Sequence, residues 1–136
     1  AAFARAVHVN LTAPWWLVQA CLPLLRQARD AAVVFTLDDP ARVGQAYWGG
    51  YGVAQPGLRA LLGMLAAELA NTGVRVSGLQ PGPMRTPLRA RAYADDLAPD
   101  LRDPDAYAGA FVALLSAAGA VHRGTVWAPP PEGGMA

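Results

Sequence analysis

The run LRALLGMLAAELANTGVRVSGLQPG, residues 58–82, holds a helix, a stop and a strand in direct succession. Its apolar residues from Leu58 onward recur at helical spacing, Asn71-Thr72-Gly73 supplies a C-terminal stop, and Val74 to Leu79 is a short strand ending before Pro81. One tight turn joins the two.

Working outward, apolar positions from Ala4 to Gln27 (Val7, Leu11, Trp15, Val18, Leu22, Leu25) predict a long helix bent at Pro14 or Pro23. AAVVFTL, Ala31 to Leu37, predicts a buried strand, followed by a polar, glycine-rich loop. Downstream, Pro104 to Ala117 reads as a third helix and Gly124 to Ala128 as a third short strand before the tail PPPEGGMA. Helices alternating with short apolar strands imply an α/β fold with a parallel sheet covered on both faces. Three strands are few for that design and leave an open edge beside the first. The expectation is therefore the C-terminal half of a doubly wound, Rossmann-like parallel sheet.

Composition narrows the function classes. The chain has 136 residues, 54% of them hydrophobic, and a formal charge of +1, with no basic stripe to track a phosphate backbone. No nucleic-acid partner is expected. All eleven basic residues are arginines, so any mechanism that needs a lysine is excluded. Cys21 is the only cysteine, which rules out an intrachain disulfide and fits a reducing cytoplasm. Pro14, Gln19, Pro23 and Arg26 interrupt the first apolar stretch too early for a membrane span. His8 and His122 lack companion ligands at metal-binding spacing, so no metal site is expected. The acidic segment from Asp95 to Asp105 reads as a solvated connection.

Taken in order, HVNLTAP, VVFTLDD, YWGGYGVAQ and VRVSGLQPGPMRT resemble the C-terminal half of a short-chain dehydrogenase/reductase, from about Val7 to the end. The resemblance implies an NAD(P)-dependent oxidoreductase acting on a small carbonyl or alcohol. It also implies one partial domain over residues 1–136, without the N-terminal dinucleotide-binding βαβ units. In that family an asparagine, a serine, and a tyrosine and lysine spaced YxxxK form the catalytic set. Asn10 and Tyr51 match it, whereas the serine position is Asp38 and the lysine position Gln55. The PGxxxT segment that faces the nicotinamide end is kept as Pro81, Gly82 and Thr86.

The two replacements oppose carbonyl chemistry. A phenol with a pKa near ~10 needs a cation to stabilise its phenolate, and neutral Gln55 provides none. An ionised Asp38 accepts hydrogen bonds and repels a developing alkoxide. Pro56 suggests in addition that the second long helix begins there, leaving Tyr51 and Gln55 in the preceding loop. Asp38-Asp39-Pro40 is also an ordinary turn signal.

GGYGVAQPG lacks the GxGxxG spacing and follows a loop, so it does not replace the family's pyrophosphate turn, and NAD(P) binding by these 136 residues alone is not expected. Two readings stand: a degenerate dehydrogenase, and a non-catalytic dimerisation module derived from the same fold. For either, the resemblance implies a homo-oligomer built on the two long helices. Ala60, Gly63, Ala66 and Ala67 would allow close helix approach.

Overall fold

The computed structural model describes residues 1–93 and 101–130. Helix α1 (Ala2–Val7) runs through a π-helical turn, His8–Thr12, into α2 (Ala13–Gln27). The regular ladder is interrupted by this widened turn, just ahead of Pro14 and containing Asn10, four residues before it. Pro14 follows closely on that turn within the continuous helix and, lacking an amide, leaves the ladder one hydrogen bond short there. Within the π turn, the Asn10 side-chain amide donates to the Ala6 carbonyl at 2.9 Å. Pro23 stays inside α2 without ending it.

Strand β1 (Ala31–Thr36) is followed by the short helix α3 (Pro40–Val43), the long helix α4 (Gly49–Glu68) and strand β2 (Val74–Leu79). Next come α5 (Pro87–Ala92), a 3-10 turn (Pro104–Tyr107), α6 (Ala108–Leu115), a second 3-10 turn (Ala117–His122) and β3 (Val126–Trp127). The strands lie in the order β1-β2-β3, all parallel, with Ala31 opposite Val74 and Gly78 opposite Val126. Among the described residues β1 pairs only with β2, so its other edge is open.

Both sheet faces are covered, as expected of strands without polar alternation. On one face Val18 of α2 and Leu58, Leu62 and Leu65 of α4 pack on Phe35, Val74 and Val76. On the other, Ala110 and Leu114 of α6 meet Leu79, Val34 and Trp127. Arg123 ties the sheet to the end of α4, donating to the carbonyls of Leu69, Thr72 (3.0 Å) and Val74 (3.2 Å).

The start of α4 corrects the expectation drawn from Pro56. The helix begins at Gly49, so Tyr51 and Gln55 are helical and Pro56 is interior. An interior proline costs about 3 kcal/mol or more. Burial of each of Leu58, Leu62 and Leu65 contributes about 1.5–3 kcal/mol, so packing outweighs the break. Glycines give α4 its close approach to the first helix. A Cβ on Gly50 would sit 2.6 Å from the Phe3 carbonyl oxygen, and one on Gly57 3.1 Å from a Leu11 methyl. Of the acidic connection and the tail, residues 94–100 and 131–136 lie outside the described residues. The turn α3 and helix α5 have no counterpart in the sequence expectations.

Candidate active site

The carboxyl end of β1 delivers Leu37 and Asp38 to the top of the sheet, and the first turns of α4 face them. Leu37 remains tied to the sheet through its amide, which donates to the Leu79 carbonyl at 2.8 Å. Beyond it the chain needs new acceptors. The Asp38 amide donates to Gln55 Oε1 at 2.9 Å, and the Tyr51 hydroxyl donates to Asp38 Oδ2 at 3.0 Å. Asp38, Tyr51 and Gln55 thus form one hydrogen-bonded unit, with Gln55 buried and the other two half-buried. One helical turn separates Tyr51 from Gln55, so both reach the same loop.

The turn reading of Asp38-Asp39-Pro40 holds as well. Asp38 Oδ1 accepts from the Asp39 amide at 2.7 Å, and Asp39 caps α3 by accepting from the Ala41 amide at 3.0 Å. Among the described residues Asp38 forms no ion pair. Its carboxylate is half-buried and bound by neutral donors, with no counter-cation among the described residues.

Burial first, then the Asp38 charge and the hydrogen bond to it, then Tyr93, push the Tyr51 phenol well above the usual tyrosine range. The hydroxyl therefore holds its proton and gives it to Asp38 as a hydrogen bond. This electrostatic setting is opposite to one that favours a phenolate.

Asn10 lies across the helix pair in a cleft of about 620 Å³, lined also by Val9, Pro14, Val33, Thr36 and Gln55. Gln55 separates this cleft from a smaller one of about 270 Å³, where Asp38, Val43, Pro56 and Arg59 meet. Arg59 donates to Gln80 Oε1 at 2.8 Å, linking α4 to the residue before Pro81. Pro81 and Gly82 leave the carboxyl end of β2, and a Cβ on Gly82 would run into the Tyr107 hydroxyl. Thr86 caps α5, accepting from the Arg89 amide at 3.1 Å.

The aromatic residues Trp15, Trp16, Tyr47 and Trp48 are the ones the sequence offered for a pocket lining, an interface or the core, whereas Tyr93, Arg42 and Arg89 carried no sequence signal. Trp48 lies 5.7 Å, centroid to centroid, from both Tyr51 and Tyr93. The Arg42 and Arg89 guanidiniums stand 5.6 and 4.5 Å from the Tyr93 ring centroid. Tyr93 and the two arginines come from α3, α5 and the end of α5, elements that the periodicity did not show. Of the other aromatics, Trp15 packs against the core, whereas Trp16 and Tyr47 are exposed.

The backbone at Pro81-Gly82 and the Thr86 hydroxyl emerge beyond the carboxyl ends of the parallel strands, where ligands of such sheets bind. No glycine-rich strand-to-helix turn for a pyrophosphate occurs among the described residues.

Comparison with known proteins agrees with this geometry. The family description "short chain dehydrogenase" matches residues 1–97. The chain is 34% identical over 98 residues to the oxidoreductase YciK of Escherichia coli K12, spanning 72% of this chain and 38% of YciK. A short chain dehydrogenase from Salmonella enterica serovar Typhi aligns with a TM-score of 0.84 at 30% identity, over 92% of this chain and 51% of that one. An Escherichia coli CFT073 chain solved with NADPH gives a TM-score of 0.83 at 29% identity, over 92% of this chain and 52% of that one. This chain spans about half the length of those solved relatives. With the parallel sheet, the π turn at Asn10 and Tyr51 over the end of β1 all in place, the match over residues 1–97 leads to one conclusion: the chain belongs to the short-chain dehydrogenase family.

Proposed function

We propose that the site is that of an NAD(P)-dependent oxidoreductase whose carbonyl-reducing acid has been silenced. The observation that carries this reading is the hydrogen bond from Tyr51 to Asp38 at 3.0 Å. Reduction of a ketone ends in an alkoxide that needs a proton, and a phenol held by a neighbouring carboxylate is a poor donor of one. Gln55, where the family has lysine, supplies no cation, and its carbonyl is already engaged by the Asp38 amide. In this reading Pro81, Gly82 and Thr86 hold the nicotinamide end, which supplies hydride chemistry when bound. Asn10 and Tyr51 keep the remaining positions of the catalytic set.

The test is single-turnover hydride transfer from NAD(P)H to small ketones and aldehydes, in the native protein that contains these residues. Negligible reduction is expected. Asp38→Ser with Gln55→Lys should raise it by about tenfold or more, and by more than the product of the single changes, because both act on one phenol and one substrate oxygen. The helical placement of Tyr51 removes any need to replace Pro56. Brisk ketone reduction by the unmodified protein, lost in Tyr51→Phe, would defeat the proposal.

A second reading, a non-catalytic association module, draws support from the outer faces of the long helices. Trp16, Leu17 and Leu24 on α2 and Val53 and Met64 on α4 are exposed. Among the described residues nothing lies within 4 Å of where a Cβ on Gly63 would stand. In this reading a second copy of the chain covers those faces.

A further inference from the structure

The unpaired carboxylate of Asp38 is what the silenced-acid reading leaves without a use. The donors to the Asp38 carboxylate, the Asp39 amide and the Tyr51 hydroxyl, are both neutral, and a carboxylate so placed offers more to a cationic ligand than to a neutral one. Here Asp38 stands just beyond the carboxyl end of β1 and lines the smaller cleft, with Gln55 between it and the larger one. Tyr51 spends its only proton on Asp38, so its oxygen faces other groups as an acceptor. Acceptors therefore dominate where the family presents donors to a carbonyl oxygen.

We propose that this site takes a cationic nitrogen substrate, a protonated imine or the corresponding ammonium, with its N–H directed at Asp38. This rests on the oxidoreductase reading of the cleft. The chemistry balances without an acid. The imine carbon accepts a hydride, with its electron pair, from a reduced nicotinamide; the C=N π pair returns to nitrogen as a lone pair. The products are a neutral amine and an oxidised nicotinamide, and no proton is drawn from Tyr51. In the reverse direction a neutral amine gives up hydride, and the cation that forms is stabilised by the same carboxylate.

Three guanidiniums bear on the balance of charge. Arg59 lines the smaller cleft but is turned to Gln80 Oε1, and Arg42 and Arg89 lie over Tyr93. None forms an ion pair with Asp38 among the described residues.

Calorimetric titration of the native protein containing these residues, with and without saturating NADP⁺, separates the possibilities. The probes are cyclohexylammonium, cyclohexanol and cyclohexanecarboxylate, one skeleton in three charge states. The ammonium should bind about tenfold more tightly than the alcohol, equivalent to about 1.4 kcal/mol, with the carboxylate weakest. Asp38→Asn should erase that preference and leave cyclohexanol within about twofold. Tyr51→Phe, which leaves the carboxylate in place, should retain it; this variant carries the test if Asp38→Asn does not fold. Equal or tighter binding of the alcohol, tightest binding of the carboxylate, a preference that survives Asp38→Asn, or no saturable ammonium binding at millimolar concentration would each overturn the proposal. Absence of NADP⁺ binding would instead defeat the oxidoreductase reading, and the ranking of the three probes would still be read.

Discussion

Asp38 changes the meaning of Tyr51 more than any residue in contact with it. At the residue scale the consequence is a phenol that keeps its proton far into the alkaline range, for reasons that can be separated: burial first, then the neighbouring charge and the hydrogen bond. Asp38→Asn removes the charge and should lower the Tyr51 pKa, measured by ultraviolet difference titration with Tyr51→Phe as the blank. An unchanged titration would show that burial alone sets it. The sign of the linked effect on stability follows. Because the folded pKa lies above the unfolded value, this contribution is fully present below about pH 10 and falls away as pH rises. Tyr51→Phe should flatten that alkaline loss, as read from urea midpoints across the pH range.

At the scale of elements, α4 shows packing overruling a local signal. Pro56 belongs by preference in a first turn, yet the helix extends from Gly49 because Gly50 and Gly57 fit against α1 and the π turn while Leu58, Leu62 and Leu65 reach the sheet. Pro56→Ala restores an amide inside a helix already held in place and should stabilise the protein by about 1–3 kcal/mol. Chemical denaturation measures it. A lower midpoint would mean that the ring itself shapes the entry of α4. In the π turn just ahead of Pro14, the Asn10 side chain binds the Ala6 carbonyl.

For the whole molecule, two surfaces are left uncovered by the described residues: the free edge of β1 and the apolar outer faces of α2 and α4. Either invites a partner. The 136-residue chain should sediment as a dimer or larger species at tens of micromolar, a range in which weak interfaces show. Leu17→Glu with Met64→Glu should shift it towards monomer if the helix faces are the contact. A single monomeric boundary for the unmodified chain would count against association, and an oligomer indifferent to those two changes would move the contact to the sheet edge.

The pattern of apolar residues determined the α/β class, the parallel sheet and the two principal strands, because burial on both faces demands continuous apolar runs that local periodicity reveals. Val74–Leu79 appears in the structure with the bounds read from the sequence. The family resemblance likewise marked Asn10, Asp38, Tyr51 and Gln55 as one set. Tertiary structure alone decided how they meet: that Gln55 clamps the Asp38 amide, that Tyr51 turns its proton to Asp38, and that Trp48, Tyr93, Arg42 and Arg89 gather beside them. Short elements such as α3 and α5 have too few residues to show a period. A hydrogen bond between residues thirteen apart depends on where a strand end and a helix start are placed in space, which no local preference encodes.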